Sequence, residues 1–306
     1  MERLLEIACK QADAVTVFGM SYTVDHVSFD NARLKAIDTY LNSGTAITVV
    51  KDGKQGFAYT RNLIDREGLV RDAMAALAGG VEAAGELPQP VELPELDTAV
   101  EHVGGNSALV DECRRIVGYL SSRTKGQVDA AATRTASDQR VLTSSGVDAR
   151  SLVTSCGAYG AVLYPGTNAN IFRGSLAKSL VPLPEEDLRF IAETYNASQQ
   201  EVKAASGRSR VLFLPSTAYA LVWRLIEATH ARNVYEKVSP LVDRLGEQVL
   251  SDKLTLRDEP LNDSLPGARA FDDEGTPCRN LTLFERGTLK SFYYDRFYAH
   301  KLGARP

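Results

Sequence analysis

Apolar and polar residues alternate along AVTVFGMSY (14–22), and again at Val27, Phe29, Leu34 and Ile37. A period of two puts one set of side chains on one face, which is the pattern of a half-buried strand. TAITVVKDGKQGFAYT (45–60) is the clearest hairpin. Its β-branched run meets Asp52-Gly53, where glycine supplies the positive φ of a tight turn, and Phe57 and Tyr59 lie on the returning strand. The period then lengthens. Met1 to Ala12 reads as a short helix. In NLIDREGLVRDAMAALAGG (62–80) Leu69, Val70, Met74 and Leu77 form one helical stripe, with Asn62 or Asp65 as cap and Gly79-Gly80 as terminator. SALVDECRRIVGYLSSRTKG (107–126) predicts a second helix capped at Ser107. LPEEDLRFIAETYNASQQEVKAA (183–205) predicts a third, whose Glu185, Glu186 and Asp187 suit a helix N-terminus.

Between these helices, residues 128–166 read as successive strands with turns at Ser145-Gly146 and Gly157, and IFRGSLAKS (171–179) as one more. RVLFLPS (210–216) has the continuous apolar character of a buried strand. PSTAYALVWRLIEATH (215–230) follows as a helix packed over a sheet. NLTLFERGTLKSFYYD (280–295) predicts a second hairpin, turning at Arg286-Gly287. Residues 81–104 are proline-rich and acidic, and read as an extended crossing. Helices and hairpins mix without regular βα alternation. The expected class is therefore α+β: mixed or antiparallel sheets with packed helices in an N-terminal domain (1–200, including the crossing), followed by a β-rich C-terminal region (201–306).

Composition changes little. The chain has 306 residues, 44% hydrophobic and 24% charged, with a formal net charge of -4. That argues against a nucleic-acid partner. The absence of a membrane-length apolar run and of a signal peptide points to a cytoplasmic protein. Cys9, Cys113, Cys156 and Cys278 are widely spaced, as expected of reduced thiols.

The candidate chemistry is sparse. Glu227 and His230, three apart, could share a helix face and offer half a metal site, although a histidine of the last helical turn needs no metal. The other histidines, His26, His102 and His300, are scattered. Asp272, Asp273 and Glu274 precede Gly275; paired carboxylates can hold a cation or share a proton, yet the same run makes an Asp-capped surface turn. Cys156 could act as a nucleophile only beside a base. No residue is assigned a catalytic role, and no metal or other cofactor is expected.

The tail nevertheless carries an ordered set of blocks: Leu245-Gly246-Glu247, Ser251, Asp258, Pro260, Phe271 to Gly275, Gly287, Leu289, Asp295 and Ala299. In order and spacing it resembles the TldD/PmbA family, also called modulators of DNA gyrase. Arg33, Gly44, Gly53, Gly56-Phe57, Thr60 and TSSGV (143–147) extend the resemblance towards the N-terminus. The resemblance implies one of two kinds of protein. TldD-like members are zinc metallopeptidases with a His-Glu-x-x-x-His helix; TldE/PmbA-like members lack that motif and pair with them around unfolded peptide. Here the corresponding place holds Ala218, Tyr219, Ala220, Leu221, Val222 and Trp223, with neither metal histidine nor base glutamate. The resemblance therefore implies a non-catalytic TldE/PmbA-like, peptidase-related protein, paired with a TldD-like zinc subunit or with its own copy. Family members extend beyond the place where this chain ends, at Pro306, so the chain is expected to be short or incomplete there. A metallopeptidase with an unrecognised site and a stand-alone binding module are the alternatives.

Overall fold

The computed structural model describes residues 1–101, 105–200, 202–203 and 205–306. Its centre is a six-stranded antiparallel sheet in the order β3-β2-β1-β4-β5-β6. The strands are β1 (Ala14–Asp30), β2 (Arg33–Lys51), β3 (Lys54–Thr60), β4 (Gln127–Thr143), β5 (Asp148–Leu163) and β6 (Asn170–Ala177). β1 pairs with β2 from Ala14↔Val50 to Asp30↔Arg33, with a register shift at Ser28/Phe29. What reads in sequence as separate alternating stretches is thus two very long strands joined at Asn31-Ala32. Both turn residues have positive φ, at 49° and 60°, the backbone of the type I′ hairpin turn.

Alternation assigns the two faces. On β1, Val15 and Val17 point towards α1 (Glu2–Ala8) and α2 (Arg66–Ala76), in a cluster with Leu4, Ile47, Val49 and Val70. Val27 and Phe29, on the same face further along, pack against α3 (Ser107–Ser121), and the same cluster includes Leu188 and Ile191 of α4 (Glu185–Ala197). Two pairs of helices therefore cover the two ends of one face. Asp65 caps α2, accepting from the Gly68 amide at 2.7 Å. Ser107 begins α3 rather than capping it; Asn106 holds the cap position without a side-chain bond. A side chain at Gly56 would meet the Ala73 carbonyl oxygen at 2.0 Å, so glycine there lets α2 lie directly on β3. Gly157, expected at a turn, lies within β5 opposite Thr133.

The opposite face carries the C-terminal part. Phe271 packs there on Phe18, Val141, Val147 and Ala149. That part has its own core of Leu241, Leu283, Phe284, Leu289 and Phe292 around a three-stranded antiparallel sheet. Its strands are β7 (Leu256–Asp258), β8 (Leu281–Glu285) and β9 (Thr288–Leu289). The β8–β9 turn falls at Arg286-Gly287, as the pattern predicts, again with both φ positive. The remaining helices are α5 (Tyr219–Thr229), α6 (Ala231–Tyr235) and α7 (Arg296–Leu302). The architecture is α+β, with helices packed on a sheet and a smaller β-containing C-terminal region.

A predicted strand is also missing. RVLFLPS forms no strand: residues 210–214 are irregular, and Val211 and Leu212 are 71% and 84% exposed. An apolar run becomes a buried strand only when a sheet edge receives it, and none of the described strands does. No helix of the described residues is long and apolar enough to cross a membrane.

Candidate functional site

Helix α5 is built in two halves. Its C-terminal half contributes Leu225 and Ala228 to the C-terminal core, and Thr229 is fully buried, with its hydroxyl donating to the Leu225 and Ile226 carbonyls. Its N-terminal half faces outward: Tyr219 is 71% exposed and Trp223 53%. The helix is thus anchored by one end only, not packed along its length. Ala218, Tyr219 and Trp223 bring no imidazole or carboxylate to this turn.

Glu227 and His230 do not converge. His230 ends α5 with an extended backbone, φ -62° and ψ 126°. Its ring lies 5.8 Å from that of Tyr293, and the two residues form an isolated parallel bridge. Glu227 instead receives the Asn233 side-chain amide, on its backbone carbonyl at 2.7 Å and on its carboxylate at 3.5 Å. The helix ends at His230, and the two side chains take different partners, Tyr293 and Asn233. His26 lies in β1 and His300 in α7, while His102 lies outside the described residues. Among the described residues no group of three or more His, Cys, Asp or Glu side chains is placed to hold a metal ion. Burial pushes the Cys156 thiol up, which weakens it as a nucleophile.

The acidic block is the more structured place. Asp272 Oδ1 accepts from the Glu274 and Thr276 amides at 3.0 and 2.8 Å, and Gly275 takes φ 83°. The Asp-capped, glycine-closed turn is therefore present, but it is not a surface turn. Phe271 and Gly275 are buried against the sheet, where an added Cβ at Gly275 would lie 3.2 Å from Val141 and from Val147. Burial pushes the Asp272 carboxyl up, against the pull of its two amide donors. Burial also raises Glu274, opposed by the charge of Arg296. Arg296, the first residue of α7, reaches Glu274 at 3.6 Å and donates to the Ala84 carbonyl at 3.3 Å. Its side chain is only 9% exposed, and its Nε is buried with no partner. Beside these groups is a cavity of about 320 Å³, floored by the sheet face at Phe18, Ala46 and Phe57 and bordered by Asp273, Glu274 and Arg296. Arg296 was invisible to pattern reading: nothing local distinguishes it, and its partners lie 22 and 212 residues away.

The other tail residues mostly shape backbone. Asp295 caps α7, accepting from the Tyr298 amide at 2.7 Å. Gly246 takes φ 87° and donates to the Leu289 carbonyl at 2.9 Å. Glu247 is held by Arg244 at 2.9 Å. An added Cβ at Gly287 would meet the Leu250 carbonyl oxygen at 2.2 Å. Asp258 lies against Tyr293, whose hydroxyl is pushed up to about 12 by burial and by that carboxylate.

Two family models match this chain: the PmbA/TldA metallopeptidase domain 1 over residues 15–84, and the PmbA/TldA metallopeptidase C-terminal domain over 206–306. The chain belongs to the PmbA/TldD family. Among curated proteins, an uncharacterised protein of Methanocaldococcus jannaschii is 26% identical over 313 residues, covering 99% of this chain and 72% of the relative. TldE from Thermococcus kodakarensis has the same fold, with a TM-score of 0.84 at 19% identity over all of this chain and 72% of that one. A Thermotoga maritima protein described as a proposed modulator of a DNA gyrase gives 0.85 at 23% identity, over all of this chain and 72% of that one. These structural likenesses concern the fold. The acidic turn falls within the region matched by the C-terminal model, and its cavity is lined by residues of both matched regions.

Proposed function

We propose that this chain is a non-catalytic, TldE/PmbA-like subunit in peptide processing, working beside a TldD-like zinc peptidase in the cytoplasm. What supports this reading is the first half of α5, Ala218 to Trp223, which we take as the counterpart of the family's zinc-motif turn. A zinc peptidase needs imidazole ligands and a carboxylate base on that turn; this chain has apolar and aromatic side chains. The outward Tyr219, Leu221 and Trp223, with the exposed run Val211 to Leu214 just before them, suit a pairing surface. The partner is a TldD-like subunit or a second copy, and the polymer handled is unfolded peptide.

The test is co-expression with a TldD-like zinc peptidase, co-purification, and a peptide-hydrolysis assay with and without this chain. Joint elution, with hydrolysis that requires both chains and is lost with chelator, is the expected result. Hydrolysis unchanged when this chain is left out removes the subunit reading. So does one tightly held zinc per chain, lost on His230→Ala, together with chelator-sensitive hydrolysis by this chain alone.

A further inference from the structure

The cavity beneath the acidic turn has features that neither zinc chemistry nor pairing uses. Its floor is the open face of the sheet. Thr16, Phe18, Ala46, Thr48 and Phe57 line it, so it offers aromatic and small apolar surface with two hydroxyls. Its border carries three charged groups, Asp273, Glu274 and Arg296. At about 320 Å³ it falls near the lower end of small-molecule sites, which run from roughly 300 to 1,000 Å³.

Arg296 is the unusual member. A guanidinium has five N–H donors in a fixed fork. Here one nitrogen donates to the Ala84 carbonyl, another stands 3.6 Å from Glu274, and the buried Nε donates to nothing. A buried donor without an acceptor costs stability, so the fold retains hydrogen-bonding capacity it does not itself use. A simple anion would meet Arg296 but also two carboxylates. A simple cation would meet the carboxylates but also Arg296. A ligand bearing an ammonium and a carboxylate on one carbon faces all three groups at once, and an apolar side chain then fits the sheet floor.

We propose that this cavity binds a zwitterionic α-amino acid with an apolar side chain, its carboxylate on Arg296, its ammonium on Asp273 and Glu274, and its side chain over Phe18 and Phe57. The site is complete within this chain, so it stands or falls independently of any partner subunit. Asp273 is exposed, and the Phe57 side chain is open enough to be changed without disturbing a core.

Isothermal titration calorimetry on the full chain tests this with leucine and phenylalanine as probes. N-acetyl-leucine lacks the ammonium, leucinamide lacks the carboxylate, and acetate lacks all but the anion. Saturable one-site binding of leucine is expected, weakened at least about tenfold by either modification and by Asp273→Asn, Phe57→Ala or Arg296→Gln. Absence of saturable binding by either amino acid overturns the proposal. So does N-acetyl-leucine, leucinamide or acetate binding as tightly as leucine, or Asp273→Asn binding leucine as the parent does. Should Arg296→Gln fail to fold, the analogue series and the exposed Asp273→Asn variant decide.

Discussion

Ala32 holds a conformation that its own side chain opposes. With Asn31 it forms the β1–β2 turn at φ 60°, where a Cβ crowds the following carbonyl. The turn is kept by its surroundings: the Ala32 amide donates to the Val128 carbonyl at 2.7 Å, and the Asn31 amide to Asp129 Oδ1 at 3.0 Å. Glycine removes the crowding but adds freedom to the unfolded chain, so the two effects partly offset. Ala32→Gly is expected to raise stability by up to about 1 kcal/mol in denaturant unfolding; a loss of stability would show that the left-handed turn is not strained. The same residue explains why this hairpin was illegible. Asp52-Gly53 and Arg286-Gly287 announce themselves through glycine, whereas at Asn31-Ala32 the β4 neighbours enforce the turn and the local residues give no sign. His230 is the converse case. Spacing puts it on the face of Glu227, yet the chain turns off the helix at its extended ψ, its ring lies beside Tyr293, and Glu227 is taken up by Asn233.

Among elements, the acidic turn couples charge to packing. Its Asp272 carboxyl is raised chiefly by burial, with Asp273 adding like charge and the Thr276 and Glu274 amides pulling the other way. A raised carboxyl means that the folded state binds its proton more tightly than the unfolded chain. Its contribution to stability is therefore present at low pH and is lost as pH rises from the unfolded value through the folded one. Asp272→Asn keeps an oxygen to accept the two amides and removes the titration. The variant should gain stability relative to the parent at neutral pH, and that gain should shrink on acidification through the carboxylate range. Unfolding curves for both proteins at several pH values check this, and a pH-independent difference would contradict it. Long elements with one clean period were legible: α2 through Leu69 and Val70, and β1 through its alternation. RVLFLPS was misread because apolar character reports a wish for burial, and only tertiary structure supplies the partner. The acidic turn was legible as a turn but not as a buried one, since its burial depends on Val141 and Val147, more than 120 residues earlier.

For the whole molecule, the question is what holds the C-terminal region on the open face of the large sheet. Each region has its own core packing: two clusters under the helix pairs α1–α2 and α3–α4, and one around Phe284 and Leu289. Between them the apolar contact centres on a single large side chain, Phe271, 5% exposed against Phe18, Val141, Val147 and Ala149. Polar contacts surround it: Lys301 with Glu82, and Arg296 with the Ala84 carbonyl. The side chains of the Lys301–Glu82 pair are 25% and 56% exposed, and exposed ion pairs contribute little. Truncating a buried phenylalanine costs about 3 to 5 kcal/mol. That loss should fall on the docking of the two regions and leave their separate cores intact. Phe271→Ala is therefore expected to split calorimetric unfolding into two transitions and to speed proteolytic cleavage in the irregular crossing at 83–101, whose Pro88 and Leu93 lie beside the acidic turn. Phe284→Ala, inside the C-terminal core, should lower that region's own transition instead. If Phe271→Ala unfolds in one transition at the parent's midpoint, the polar contacts hold the regions together, and Arg296 becomes the residue on which their docking depends.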